Sequence, residues 1–62
     1  MIELARVKRG QNNMETARAF AKCEAFKGYT ISAILETMRS YEKAGLLILT
    51  AAEAIIFHDC DN

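Results

Sequence analysis

Ile31, Ile34, Leu35, Met38 and Tyr41 recur at spacings of three and four, and the series stops at Gly45, followed at once by four apolar residues at 46–49. This change of period restricts the fold more than any other feature of the chain. Spacings of three and four place apolar side chains on one stripe of a helix, with Ser32, Glu36, Arg39, Ser40 and Lys43 opposite. Residues 31–44 are therefore expected to form an amphipathic helix. Thr30 suits its N-cap, Lys43 suits the negative end of its dipole, and Gly45 can adopt the left-handed conformation that ends it.

Upstream, Gly10, Gln11, Asn12 and Asn13 form a polar cluster of the kind that separates periodic segments. Asn12 with Glu15 has the spacing of a capping box, in which Glu15 reaches back to the cap amide, so a helix is expected to begin near Asn13. Over residues 14–27, Met14, Ala17, Phe20, Ala21 and Cys23 make a broad apolar arc, with Glu15, Arg18 and Lys22 opposite and Gly28 as the terminator. Tyr29 then packs in a very short connection. The first nine residues, with Ile2 and Ala5 on one side and Leu4 and Val7 towards another, are expected to form a short helix.

The segment after Gly45 admits two readings. Residues 46–49 and 55–58 suit two short strands joined by Thr50, Ala51, Ala52, Glu53 and Ala54, because consecutive Ile55, Ile56 and Phe57 favour a covered strand. Thr50 and Glu53, however, also have capping-box spacing, and the alanines between them are strong helix formers. A hairpin is the preferred expectation, and an all-α helical bundle the alternative. The fold class expected is a small α+β domain, two to three helices followed by a C-terminal β-hairpin.

Sixty-two residues hold one such domain. At this size only about 60% of the unfolded surface is buried, so stability alone is marginal and a partner or second copy can supply the margin. Apolar residues at 52% and charged residues at 26% fit a globular chain. The N-terminal sequence lacks the features of a signal peptide, and the longest uncharged run, 44–52, is about half of the ~20 residues needed to span a bilayer. Cys23 and Cys60 are read as free thiols in a reducing interior, and the expected location is cytoplasmic.

The order helix, tight turn, second helix ending in Tyr41-Glu42-Lys43-Ala44-Gly45-Leu46-Leu47, then two apolar strands, resembles the winged helix-turn-helix family. The resemblance covers about residues 14–58 and is most recognisable over 30–49. It implies that residues 13–44 form the helix-turn-helix, with the recognition helix at 30–44, that 46–58 form the wing, and that the chain binds DNA as a regulator of transcription or replication. Ser32, Thr37, Arg39, Ser40 and Lys43 would then present the recognition surface. Glu36, also on that surface, opposes phosphate but can accept from a cytosine amino group.

Charge is unevenly placed although the net charge is zero: residues 1–31 hold six basic and three acidic residues, and residues 32–62 hold two and five. Within the basic N-terminal segment 1–10, Arg6, Lys8 and Arg9 are candidates for phosphate contacts. The dipolar charge suits protein docking equally well, which supplies the second function class, a non-catalytic protein–protein interaction module. Its candidate partner-binding residues are Leu47, Leu49 and Ile56, since the apolar excess of 46–49 and 55–57 favours a homodimer or a protein partner.

Chemistry is sparse. His58, Asp59, Cys60 and Asp61 include possible metal ligands, but one histidine without a Cys-x-x-Cys pair is not the donor set of structural zinc, and a polar C-terminus is the better reading. Neither a phosphate-binding glycine loop nor a paired acid and base emerges, so no enzyme, cofactor, metal or small-molecule substrate is expected.

Overall fold

The computed structural model describes residues 2–59, and of Asp59 only the backbone. It is a small α+β domain in which two helices cover one face of a three-stranded antiparallel sheet. In chain order, β1 (Ile2–Lys8) leads to α1 (Asn13–Phe20), a 3₁₀ turn (Glu24–Phe26), α2 (Ile31–Ala44), β2 (Leu47–Leu49) and β3 (Glu53–Asp59). Spatially the strands run β1-β3-β2. The core unites Ala5, Ala17, Phe20, Phe26, Ile34, Met38, Leu47, Ala54 and Ile56.

α2 matches its periodicity. The Thr30 hydroxyl accepts from the Ala33 amide at 3.1 Å, Ile34 and Met38 are buried, and Gly45 at φ 78° ends the helix. The Leu46 amide then donates to the Tyr41 carbonyl at 2.8 Å, satisfying an otherwise orphaned acceptor as the chain leaves for the sheet.

The hairpin expectation holds and the helical bundle falls. β2 pairs with β3 at Leu47↔Ile56, Ile48↔Ile55 and Leu49↔Ala54. Thr50 and Glu53 close the turn instead of capping a helix: the Thr50 hydroxyl accepts from the Glu53 amide at 2.9 Å, and the Thr50 amide donates to the Glu53 carbonyl at 2.9 Å. A threonine hydroxyl serves a tight turn and a helix start with the same bond, so the motif could not decide between them.

The N-terminal helix expectation is overturned. Residues 2–8 form β1, which pairs along its whole length with β3, from Ile2↔Asp59 to Lys8↔Glu53. Without this strand β3 would expose a row of backbone donors and acceptors, and local helix preference is weaker than that long-range ladder. Ala5 faces the helices, and its small side chain is buried.

α1 is also shorter than expected, ending at Phe20 instead of Lys27. In one continuous helix, Phe20 and Phe26 would point about 120° apart around the axis. The break and the 3₁₀ turn bring both rings into the core, with centroids 5.6 Å apart. Gly28, expected to terminate the helix, instead follows this turn at φ 88°.

Asn12 caps α1 as expected, its side-chain oxygen accepting from the Glu15 amide at 2.9 Å, but the Glu15 carboxylate reaches Gln11 N rather than the cap amide. The loop is tied down further by buried Thr16, whose hydroxyl accepts from Gly10 N at 3.0 Å and donates to the Asn12 carbonyl at 3.0 Å. Gly10 therefore lies against the helix start. A Cβ there would collide with Glu15 Cβ and stand 2.9 Å from Thr16 N. Because backbone must yield, Gly10→Ala is expected to destabilise the chain by about 1–3 kcal/mol in urea titration; an unchanged midpoint would show that the loop relaxes freely.

Candidate functional site

The solvent face of α2 carries Ser32, Glu36, Arg39, Ser40 and Lys43, all exposed. Thr37 is half-buried, and its hydroxyl donates to the Ala33 carbonyl at 2.9 Å. Neither Arg39 nor Lys43 makes an ion pair or side-chain hydrogen bond among the described residues. Together with Glu36 and Ser40 they line a shallow depression of about 230 Å³.

Beside this face runs an open groove of about 360 Å³ with a floor of Leu35, Met38, Leu47 and Leu49. Arg9 and Arg39 line it together with Asn13 and Glu42. Arg9 is held by two bonds to the hairpin: its amide donates to the Ala52 carbonyl at 3.0 Å and its guanidinium to the Thr50 carbonyl at 2.9 Å. The hairpin turn has no basic residue of its own, and the chain leaving β1 brings one to it.

The sheet divides the N-terminal cations. The side chains of Arg6 and Lys8 alternate with buried Ala5 and half-buried Val7, so they lie on the face away from the helices. Arg6 forms a bidentate pair with Glu53, at 2.8 Å from Nε and 3.0 Å from Nη2, and this holds its guanidinium above the ordinary range. Being exposed, the pair contributes little stability. Arg9 alone of the three joins α2.

Two of the candidate docking residues require correction. Leu47 and Ile56 are buried in the core, because the inward positions of β2 and β3 meet the helices. Leu49 is half-buried on the groove floor. Substitution of Leu47 or Ile56 would report on folding.

His58 also departs from its expected place in a polar tail. It continues the inward series Ala54, Ile56, His58 and is buried. Its ring stacks on Phe26 with centroids 4.8 Å apart, while the Tyr41 hydroxyl meets Nδ1 at 2.9 Å and the Tyr29 hydroxyl meets Nε2 at 3.3 Å. A tyrosine hydroxyl can donate or accept, so either neutral tautomer satisfies both contacts. Residue order carried no signal for this burial, since 54–57 are apolar without alternation and only the parity of the observed strand turns His58 inward. Packed within aromatic rings, His58 acts as a core residue.

Among the described residues no three His, Cys, Asp or Glu side chains group to hold a metal ion. Cys60 and Asp61 lie outside them. Burial pushes the Cys23 thiol up, which makes its thiolate scarcer at neutral pH, and Sγ sits 3.9 Å from the Ala19 carbonyl. No helix among the described residues is long and apolar enough to cross a membrane. Comparison with protein-family models, with curated proteins and with solved structures finds no match to the chain.

Proposed function

We propose that the chain is a small winged helix-turn-helix-like module that binds duplex DNA with the exposed face of α2 and the adjoining groove. The observation that carries this reading is the convergence of Arg9 and Arg39 on one groove between α2 and the hairpin, next to Lys43. Two unpaired cations on a helix, with a third fixed beside a hairpin turn, match the spaced negative charge of a phosphate backbone. The element order supports the same reading: two helices, joined by residues 21–30 with their 3₁₀ turn, then a hairpin whose long strand is backed by β1. Ser32 and Ser40 add short hydroxyls that can reach phosphate or base edges, and Glu36 can accept from cytosine. Arg6 and Lys8, on the opposite sheet face, take no part.

The test is titration of a randomised 20-base-pair duplex pool at about 50 mM salt, where phosphate contacts are strongest. Arg39→Ala and Lys43→Ala are each expected to weaken binding roughly tenfold, about 1.4 kcal/mol, and to lower the salt slope by about one. Lys8→Ala should leave both quantities unchanged. Absence of duplex binding by the wild-type chain, or equal losses from Lys8→Ala, would overturn the proposal.

A further inference from the structure

β1 is an edge strand, and the register of the sheet defines what its edge offers. The Arg9 amide donates to the Ala52 carbonyl at 3.0 Å, which makes Arg9 and Ala52 a hydrogen-bonded pair at the end of the ladder that runs from Ile2↔Asp59 to Lys8↔Glu53. Such pairs alternate in an antiparallel ladder. Glu3, Ala5 and Val7 therefore turn their backbone groups towards β3, while Ile2, Leu4, Arg6 and Lys8 turn theirs away from it. The same parity holds on the other side of β3, where the Phe57 amide donates to the Leu46 carbonyl at 2.9 Å. Among the described residues no hydrogen bond reaches the outward N–H and C=O groups of Ile2, Leu4, Arg6 or Lys8. The strand has neither a proline nor a bulge to break this row.

We infer that this edge accepts an extended segment of another protein, added antiparallel to β1 as a fourth strand, with apolar residues opposite Ile2 and Leu4 and an acidic residue opposite Lys8. The same residues supply both halves of that contact. Ile2 and Leu4, 56% and 55% exposed, hold their side chains in water on the outer sheet face and their unpaired backbone groups at the edge. A body laid on the face would cover the side chains and leave the amides unpaired, whereas a strand alongside β1 satisfies both. Charge then selects among strands. Arg6 is already neutralised by Glu53, but Lys8 is exposed and makes no ion pair or side-chain hydrogen bond among the described residues. A carboxylate directly opposite Lys8 gives it a partner.

A second copy of β1 does not meet that requirement. Across an antiparallel junction, outward-turned residues pair only with outward-turned residues. In every register Arg6 and Lys8 of one copy would therefore fall opposite Ile2, Leu4, Arg6 or Lys8 of the other. Each cation would face an apolar side chain or another cation, which disfavours self-pairing. The contact uses neither α2 nor the groove beside it, and its test involves no nucleic acid.

The test is an NMR titration of the isotope-labelled chain with the blocked peptide Glu-Thr-Thr-Thr-Val-Thr-Val to about 5 mM, a range suited to the weak affinity of one short strand. Laid antiparallel on β1, the peptide sets its glutamate opposite Lys8 and its valines opposite Leu4 and Ile2. The amides of Ile2, Leu4, Arg6 and Lys8 should shift and gain protection from hydrogen exchange, while those of Ala5 and Val7, already bonded to β3, change little. Exchanging the peptide's glutamate for lysine should weaken binding about tenfold, and Lys8→Ala should weaken binding of the glutamate peptide about threefold, the scale of cross-strand charge pairs. Leu4→Pro removes an outward donor without breaking the ladder to β3 and should abolish binding. Lys8→Ala alters only an exposed side chain and covers the case in which the proline variant fails to fold. Absence of the alternating shifts in the wild type, or equal affinity for the glutamate and lysine peptides, would overturn the inference. The same shifts on concentrating the chain without peptide would assign the edge to a second copy and overturn it as well.

Discussion

Phe26→Ala is expected to leave the chain largely unfolded at 25 °C. Phe26 is wholly buried although it belongs to neither helix, and it bridges three rings: Phe20 at 5.6 Å, Tyr29 at 5.2 Å edge-on, and His58 at 4.8 Å in a stack. Removing it costs the transfer of a large aromatic side chain from water plus the cavity left behind, about 3–5 kcal/mol. A single core in a chain of this size rarely supplies more than ~3–5 kcal/mol in total, so one substitution can consume the whole margin. Far-UV circular dichroism with urea titration reads the result, and Phe26→Leu, which keeps much of the volume, should fold with a loss of about 1–1.5 kcal/mol. A cooperative, wild-type-like transition for Phe26→Ala would show that the 3₁₀ turn is peripheral to the core.

The position of Phe26 also explains which parts of the fold could be read from residue order. α2 was legible because its periodicity, its Thr30 cap and its Gly45 terminator agree, and such agreement leaves no competing conformation. The hairpin was legible from the apolar run at 55–57 despite the helix-forming alanines beside it. The connection between the helices was less so. The alanine-rich composition of 14–27 favours one long helix, and only the need to bury both Phe20 and Phe26 breaks it. β1 was misread for a similar reason. Its seven residues alternate weakly, and their conformation is set by pairing with β3, some fifty positions away in the chain.

The candidate site divides along the same line. Ser32, Arg39, Ser40 and Lys43 are exposed on α2 where helical spacing puts them. Arg9 entered the groove through a backbone pairing between the end of β1 and the hairpin turn, a contact that spacing along the chain does not encode. Strand parity then decides the fate of the rest. It turns Arg6 and Lys8 away from α2, sends Leu47 and Ile56 inward, and leaves Ile2, Leu4 and Ile48 in water. Once β1 is a strand, the exposed apolar surface moves from the residues first favoured for docking to the opposite face of the same sheet.

His58→Ala carries the second large expected effect, a loss of about 2–4 kcal/mol, combining a cavity with hydroxyls deprived of a buried partner. The buried ring joins the end of β3 to α2 through Tyr41 at 2.9 Å and to the inter-helix connection through Tyr29 at 3.3 Å. These two contacts are unequal in consequence. Tyr29 is 40% exposed, so its hydroxyl can turn to water when the imidazole is lost, whereas half-buried Tyr41 is less able to do so. His58→Leu fills most of the space and isolates the polar part, at about 1–3 kcal/mol. Tyr41→Phe should cost about 1 kcal/mol in the wild type and less in the His58→Leu background, because there the hydroxyl has already lost this partner. A double-mutant cycle from urea midpoints measures that difference. Coupling of at least about 0.5 kcal/mol is the expected result, and strictly additive losses would mean that the 2.9 Å contact does not fasten α2 to the sheet.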